Sequence, residues 1–229
     1  MKIIGLLGGM SWESSQIYYR ELNQQINQHL GGLHSAQMVM INVDFAPLEQ
    51  LMIKGEWSKI SDILLKHCLQ LQGAGADFIV IATNTMHKLA PIIEKKLGIP
   101  LLHIADAVGQ SAVKKNLNTV GLLGTAFTME QGFYATRLEK HGIKTIIPED
   151  DERIVVNQII FEELCKGQLK ASSKQKYLKV IEGLARHGAQ AVILGCTEIG
   201  LLVQQQDTAV TLVDATHEHI KMVVKQALS

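Results

Sequence analysis

Short runs of apolar residues alternate along this chain with segments in which apolar residues recur every three or four positions. The runs are typical of buried strands, and the spaced segments are typical of helices that cover them. Buried strands separated by helices indicate an α/β architecture with parallel sheets. Strands are predicted near residues 2–7, 38–43, 78–82, 119–123, 143–147, 191–195 and 210–213.

The chain also repeats part of itself. The residues Gly5-Leu6-Leu7-Gly8 recur as Gly121-Leu122-Leu123-Gly124, and the segment 75–85 aligns with the segment 188–198. The two displacements, 116 and 113 positions, nearly agree, which indicates two copies of one βα design. We therefore expect two pseudo-symmetric α/β domains, each with a mainly parallel four-stranded sheet flanked by helices. The active site is expected in the cleft between them.

A further segment, residues 214–229, lies beyond the second copy. Its apolar residues have the spacing of a helix that buries one face, and they are Ile220, Val223, Val224 and Leu228. We expect this segment to pack against the first half. The predicted division is a first domain of residues 1–103 plus 214–229 and a second domain of residues 104–213.

The charge balance favours a small-molecule partner. The 22 basic and 22 acidic residues give a formal net charge of zero, so no overall field attracts nucleic acid or an anionic membrane. The apolar run at the N-terminus is broken at Gly8-Gly9 without the pattern of a cleavable signal. No other stretch approaches the ~20 apolar residues of a membrane span, and a cytoplasmic location is expected.

The three cysteines, Cys68, Cys165 and Cys196, show no paired short spacing. That argues against a disulfide framework and against a zinc ribbon. No cluster of metal ligands is evident, so no metal is expected. Cys68 lies within a helical stripe and is expected to be a buried packing residue.

Polar residues follow the predicted strands, and ligands bind at the carboxyl ends of strands in open parallel sheets. The turn at 8–12 leads into a helix for which Ser11 is a plausible N-cap, and the turn at 124–128 is its twin. Glycines and free N–H groups in such turns suit a carboxylate or phosphate. The alternative is that each is only a tight turn between strand and helix.

Cys196 ends a predicted strand, with Thr197 and Glu198 next. A thiol at a helix start has a lowered pKa and favours the reactive thiolate, although a merely buried cysteine fits the spacing equally well. Thr83 occupies the duplicated position in the first half and is followed by Asn84 and Thr85. These three side chains could bind a polar ligand or could only cap a turn.

Four motifs, taken together, resemble those of the aspartate/glutamate racemase family. They are Gly-Gly-Met-Ser-Trp at 8–12, Thr-Asn-Thr-Met-His at 83–87, Leu-Gly-Thr at 123–125 and Gly-Cys-Thr-Glu at 195–198. The resemblance spans nearly the whole chain, in order and with family-like spacing. It implies two pseudo-symmetric α/β domains, a homodimer, and an enzyme that needs neither pyridoxal phosphate nor metal. In that family one cysteine usually lies on each side of the substrate α-carbon, so that one thiolate removes a proton and the other thiol delivers one.

Carried over by this resemblance, Cys196 matches the second-half catalytic cysteine. Asn84, Thr85 and Thr197 match the neighbours that hold the α-carboxylate of the substrate. The resemblance thus implies an enzyme that interconverts L- and D-amino acids, with aspartate and glutamate as the expected substrates.

Four more positions are implied to contact the substrate. Met10 and Thr125 fall in the two substrate-facing turns. Gln50 and Lys166 fall near family positions that contact the distal carboxylate, by a looser match. Cys165, although it is next to Lys166, does not match a catalytic cysteine of the family.

The chain departs from the family pattern at Thr83, where the usual residue is cysteine. A threonine hydroxyl is a far poorer general base than a thiol, because a useful acid or base has a pKa near the working pH. Some racemase relatives resemble this chain in carrying threonine there. The expectation is therefore a racemase in which Thr83 and Cys196 both transfer protons, with a turnover that is slower or unequal in the two directions.

Two alternatives remain open from the residues alone. One is a related enzyme that needs only one thiol, such as a decarboxylase that protonates from Cys196 or an isomerase of a small diacid. The other is a non-catalytic protein that binds amino acids on the same scaffold. Exchange of the α-proton with solvent separates the racemase from the binding protein.

Overall fold

A computed structural model describes all residues from Met1 to Ser229. It contains eight strands and eleven α-helices. The strands are β1 (Ile4–Gly8), β2 (Met38–Asn42), β3 (Phe78–Ile81), β4 (Leu101–Leu102), β5 (Thr119–Leu123), β6 (Lys144–Ile146), β7 (Ala191–Leu194) and β8 (Thr211–Asp214). The helices are α1 (Trp12–Leu30), α2 (Phe45–Ile53), α3 (Trp57–Gly73), α4 (Ala90–Glu94), α5 (Ile104–Lys114), α6 (Ala126–Glu130), α7 (Phe133–Glu139), α8 (Asp150–Glu162), α9 (Ala171–Arg186), α10 (Ile199–Leu202) and α11 (Ala215–Ala227).

The strands form two sheets of four, and every pairing is parallel. The first sheet has the order β2-β1-β3-β4 and the second has the order β6-β5-β7-β8. The second order is the first with four added to each strand number. This confirms the predicted fold class of two similar α/β halves, each with a parallel four-stranded sheet and flanking helices.

The likeness of the two halves extends to single hydrogen bonds. The Asp77 amide donates to the Ile3 carbonyl over 2.9 Å, and the Gln190 amide donates to the Thr119 carbonyl over the same 2.9 Å. These residues are equivalent in the sequence duplication. The repeat in the sequence is therefore a repeat in backbone pairing, which places equivalent residues at equivalent ends of the two sheets.

One strand was not predicted from the sequence. β4 contains only two residues, and it follows Pro100, so it offers no apolar run long enough to indicate a strand. The carbonyl of Pro100 accepts from the Ile79 amide over 2.8 Å, which brings β4 alongside β3. All seven predicted strands are present, and their ends differ from the predicted ones by at most two residues.

The chain divides into two compact units, Met1–His103 with Ile220–Ser229, and Ile104–His219. The second boundary lies six residues later than the expected one at Asp214. The difference has a structural cause, because β8 pairs with β7 as far as Asp214, and the hydroxyl groups of Thr197 and Thr216 lie 3.0 Å apart within the second unit.

Each unit has its own apolar core. In the first unit, α1 and the last turns of α11 cover one face of the sheet. The buried residues there include Ile4, Tyr18, Leu22, Ile26, Phe78, Ile220, Val223 and Val224. The segment 214–229 was expected to pack against the first half, and its apolar residues from Ile220 to Leu228 do so.

Cys68 is fully buried in α3, as predicted. Burial raises the pKa of its thiol to about 12, because a thiolate loses its hydration in an apolar core. Cys68 is therefore an inert packing residue. No helix has both the length and the apolar character needed to cross a membrane.

Candidate active site

In the first unit, the turn after β1 is fixed by two serines. Ser11 caps α1, since its side chain accepts from the Ser14 amide over 3.2 Å, and this confirms the predicted N-cap. The Ser15 hydroxyl accepts from the Gly9 amide over 2.7 Å. These bonds hold Met10, which is buried at 5% exposure, in a rigid turn at the carboxyl end of the sheet.

Gly9 is required in this turn by its backbone. Its φ angle is +93°, and an added Cβ would collide with the backbone of Val43. Val43 follows β2, and its amide donates to the Gly8 carbonyl over 3.0 Å. The turns after β1 and β2 therefore lie in direct backbone contact, and only glycine permits this approach.

The turn after β3 carries Thr83, Asn84 and Thr85. It is tied to the start of α1, because the Ser14 hydroxyl donates to the Ala82 carbonyl over 2.8 Å. The carbonyl of Thr83 lies 2.8 Å from Nδ1 of His87. His87 therefore stabilises the backbone of this turn.

Asn84 is 4% exposed, and neither its amide nitrogen nor its amide oxygen has a hydrogen-bond partner within the protein. A buried amide without partners costs on the order of 1–3 kcal/mol. Such groups in native structures call for a functional explanation. The turn after β3 is therefore a candidate binding place for a polar ligand.

In the second unit, the turns after β5 and β7 lie side by side. The Gly195 amide donates to the Leu123 carbonyl over 2.6 Å, and its equivalent in the first unit, the Ala82 amide, donates to the Leu7 carbonyl over 2.9 Å. A Cβ on Gly195 would lie only 2.8 Å from the Leu123 carbonyl oxygen. The close approach fixes the backbone from which the next residue, Cys196, projects.

Thr125 caps the short helix α6, since its side chain accepts from the Thr128 amide over 3.3 Å. The Ala126 amide donates to the side chain of Asn157 on α8 over 2.8 Å. Thr125 is 7% exposed. The turn is thus the structural twin of the Ser11 turn, with a threonine as the capping residue.

Cys196 is half-buried, and its Sγ lies 2.9 Å from Oε2 of Glu198. Burial raises the pKa of the Cys196 thiol well above its usual value, and the nearby Glu198 and Cys165 raise it further. The expectation of a lowered pKa was therefore wrong. The helix that follows, α10, contains only four residues, so no long helix begins beside the thiol.

Thr197 is 7% exposed, and its hydroxyl lies 3.0 Å from that of Thr216 at the start of α11. This contact joins the turn after β7 to the start of α11, which directly follows β8. Thr216 was not singled out from the sequence, because only the sheet order places the end of β8 next to the end of β7.

Gln50 and Lys166, the two residues that match the family less closely, do not directly follow a strand. Gln50 is exposed on α2, which follows β2. Lys166 is exposed at the end of the 3-10 helix Leu164–Lys166, which follows α8 and hence β6. Since β2 and β6 are equivalent strands, the two side chains occupy comparable connections in their units.

Within each unit the predicted residues gather at the carboxyl edge of the sheet. Met10 and the segment 83–85 lie at the ends of the adjacent strands β1 and β3, and Thr125 and the pair 196–197 lie at the ends of β5 and β7. Throughout the chain, no group of three or more His, Cys, Asp or Glu side chains is placed to hold a metal ion.

Comparisons with known proteins agree with this architecture. The family model described as Asp/Glu/Hydantoin racemase matches residues 7–223. A candidate Asp/Glu racemase from Yersinia pestis is 50% identical, with a TM-score of 0.94 and 100% of both chains covered. An aspartate racemase homologue from Pyrococcus horikoshii OT3 is 31% identical, with a TM-score of 0.87 and 100% of both chains covered.

Among curated proteins, the glutamate racemase of Aquifex pyrophilus is 27% identical over 150 residues, which cover 63% of this chain and 56% of that protein. The chain covers about half the length of the curated relatives that it matches. The family model, by contrast, covers nearly all of this chain, including the turns that carry Met10, Thr83, Thr125 and Cys196. The chain therefore belongs to the Asp/Glu/Hydantoin racemase family.

Proposed function

We propose that this protein is an amino-acid racemase that needs no cofactor and acts on aspartate, glutamate or both. One observation carries the proposal. Thr83 follows β3 and Cys196 follows β7, and these strands occupy the same place in two sheets of identical order. A reaction that interconverts mirror images needs two proton-transfer groups in equivalent positions, and the duplicated turns supply them.

The chemistry is a proton transfer at the α-carbon. One group removes the α-proton and leaves its electron pair on the carbon, and the other delivers a proton to the opposite face. Cys196 holds a proton in the free protein, because its raised pKa favours the thiol. It is therefore poised as the donor, and in that direction Thr83 accepts the α-proton while its own hydroxyl proton passes to solvent.

The amide of Asn84 suits the α-carboxylate and ammonium groups of an amino acid. Its nitrogen can donate to the carboxylate, and its oxygen can accept from the ammonium group. Both amide atoms are covered by protein, so ligand binding requires the side chain to rotate. Thr85 and Thr197 add hydroxyl donors, while Met10 and Thr125 shape the two turns beside them.

Gln50 and Lys166 are proposed to contact the distal carboxylate of the substrate. A lysine ammonium attracts a carboxylate, and a glutamine amide donates to it without adding charge. Both side chains are exposed and have the freedom to reorient toward a ligand. This pair favours acidic amino acids over neutral ones.

Asn84→Ala tests the carboxylate assignment, and it is expected to raise KM for the amino acid about tenfold through the loss of a hydrogen bond to a charged group. Thermal stability should stay the same or rise, because the variant no longer buries an amide without partners. Steady-state kinetics and a melting curve check both results. An unchanged KM would contradict the carboxylate assignment. If the variant is also clearly destabilised, the amide has a structural role instead.

The proposed function is tested by incubating the protein in deuterated water with pure L- or D-enantiomers of aspartate, glutamate and neutral amino acids. Nuclear magnetic resonance follows loss of the α-proton, and chiral chromatography follows inversion. A racemase gives both. Binding without exchange indicates a non-catalytic binding protein, and a parallel panel of diacids, including substituted malonates, reveals a decarboxylase or an isomerase.

Metal and pyridoxal phosphate are expected to be unnecessary, since the proposed acid and base are side chains. Exhaustive dialysis against a chelator, followed by an assay with and without added zinc, should give the same turnover. An absorbance spectrum above the protein band checks for pyridoxal phosphate. Activity that disappears on dialysis and returns with zinc would contradict the expectation.

A further inference from the structure

A groove in the first unit runs between the C-terminal half of α1 and the C-terminal part of α11. It has a volume of about 470 Å³, and it is lined by Gln25, His29, Lys221, Val224, Lys225, Leu228 and Ser229. All of these residues belong to the first unit. Gln25 lies about four turns beyond Ser11 along α1, or roughly 20 Å at the usual rise per residue. On α1, the groove is therefore far from the turn that holds Met10.

The side of α11 that faces the groove carries two kinds of side chain. Lys221 and Lys225 are exposed, and their spacing places them one turn apart on the same side of the helix. Val224 and Leu228 have the same spacing and are apolar, and Val224 is only 3% exposed. No acidic side chain lines the groove. The groove thus combines an apolar floor with basic side chains at its edge.

Several polar groups of the groove have no partner in the protein. The ammonium group of Lys225 makes neither an ion pair nor a hydrogen bond, and the same holds for the side-chain amide of Gln25. Nδ1 of His29 donates to the Gln25 carbonyl over 2.8 Å, which leaves Nε2 for another group. At one end, the Lys2 ammonium group donates to the Ser229 hydroxyl over 3.0 Å. Positive charge and free hydrogen-bonding groups are therefore gathered around one groove.

Basic residues near a helix C-terminus also offset the helix dipole, and His29 and Lys225 lie in the last turns of α1 and α11. This role does not account for Lys221, which lies before the last turn of α11. It also does not explain why basic groups from two helices meet around Val224 and Leu228. The arrangement indicates a site for an anion that also has an apolar part.

We propose that this groove binds a small phosphate monoester with a compact apolar body. Such a phosphate is close to a dianion at neutral pH, and Lys221 and Lys225 can each donate to a different oxygen. The apolar body then lies on Val224 and Leu228. A volume of about 470 Å³ is within the range of pockets that hold small molecules.

A ligand in this groove contacts both α1 and α11, so it holds residues 220–229 in place on the first unit. This segment is the part of the unit that follows the second unit in the chain. A ligand that binds only the folded state stabilises that state as its concentration rises above its Kd. The site goes beyond the proposed racemase function and uses none of the residues assigned to it.

The test is a titration of the protein with phenyl phosphate by isothermal titration calorimetry, at an ionic strength of about 0.1 M. Inorganic phosphate and phenol, which represent the two parts of this probe, are titrated in parallel. Phenyl phosphate should bind about tenfold more tightly than either, because it engages the lysines and the apolar floor together. The protein carries no purification tag, since Lys2 and Ser229 lie at the groove.

Hydrogen exchange followed by mass spectrometry locates the bound probe. Phenyl phosphate should slow exchange in peptides that cover the end of α1 and residues 220–229, because it contacts both helices. Exchange in residues 104–219 should not change. Protection confined to the turns after β3 and β7 would place the phosphate in the candidate active site and would refute the proposal.

Lys221→Gln combined with Lys225→Gln should weaken phenyl phosphate binding by about tenfold or more, since it removes both charge-assisted hydrogen bonds. The matched control is Lys114→Gln combined with Lys115→Gln, which removes two exposed lysines of the second unit. Its affinity should stay within about twofold of the unmodified protein, because screening limits the effect of charges outside the groove.

Leu228→Asn tests the apolar part of the groove. It should weaken the binding of phenyl phosphate and leave the binding of inorganic phosphate unchanged, because only the phenyl ring contacts this side chain. Circular dichroism confirms that each variant is folded. Equal affinities of the Leu228→Asn variant and the unmodified protein for phenyl phosphate would contradict the proposed position of the apolar body.

No measurable binding of phenyl phosphate would overturn the proposal. An equal loss of affinity in the two double-lysine variants would also overturn it, because that result indicates non-specific attraction by positive charge. All of these measurements follow binding and none uses turnover. Their outcome is therefore independent of whether the protein racemises an amino acid.

Discussion

Cys196→Ser is expected to lower turnover by about a hundredfold or more, because a positioned acid or base contributes about that much to a proton transfer. A serine hydroxyl has nearly the size of the thiol and keeps a contact with Glu198 possible. Its pKa, however, is too high for it to exchange a proton readily at neutral pH. Initial rates from pure L- and pure D-enantiomers measure the loss.

Cys165→Ser is the matched control for this variant. Cys165 is also partly exposed and packs against the same apolar cluster as Cys196, so it experiences a similar change of sulfur to oxygen. It should retain most of the activity. Near-normal turnover in Cys196→Ser would remove the proposed role, and circular dichroism separates a catalytic loss from unfolding.

Thr83→Cys is expected to raise the initial rate about tenfold or more in the direction in which the α-proton leaves toward position 83. The reason is that a thiol titrates far closer to neutral pH than a hydroxyl does. The enantiomer ratio at equilibrium should not change, because the free L- and D-amino acids have equal free energies. Initial rates from both pure enantiomers, at matched saturation, reveal the direction.

Thr83→Ser and Thr83→Ala complete this series. Serine retains the hydroxyl and should keep measurable racemisation, whereas alanine should abolish inversion. In deuterated water, Thr83→Ala can still exchange the α-proton on the Cys196 side with retention of configuration. Full racemisation by Thr83→Ala would exclude the side chain from the mechanism. A folded Thr83→Cys protein with no gain in rate would show that the missing thiol does not limit the reaction.

The fold could be predicted from the sequence because its signals are local and repeated. Seven of the eight strands could be predicted from apolar runs, and the division into two sheets could be predicted from the duplication. β4 was not predicted, because a strand of two residues has no recognisable pattern of apolar positions. The boundary near Asp214 also differed, since the hydrogen bonds that hold residues 214–219 in the second unit come from β7 and from Thr197.

The places of the candidate residues at the ends of the strands could be predicted from the sequence, but the electrostatics of Cys196 could not. The position of Cys196 follows from the strand that precedes it, whereas its pKa depends on Glu198, Cys165 and burial. Of these, only Glu198 is close in sequence, and its side chain could have folded away from the thiol. A carboxylate two residues after the cysteine was the available signal.

Some expectations depend on properties that lie outside a single chain. The roles of Gln50 and Lys166 depend on a bound substrate, and the homodimer depends on a second copy. These assignments stay predictions, as does the cytoplasmic location. Their tests are substrate profiles of Gln50 and Lys166 variants and sedimentation of the purified protein.

The first unit is discontinuous, because the segment Ile104–His219 separates its two parts. In topological terms, the second unit is a domain inserted into the first. Its strands and core come from one uninterrupted stretch of sequence, so its folding does not depend on contacts with residues outside that stretch. The first unit must close a long loop before Val223 and Val224 reach Ile4 and Phe78. The second unit is therefore expected to acquire protection from hydrogen exchange earlier during refolding, which reverses the order of the two units along the chain.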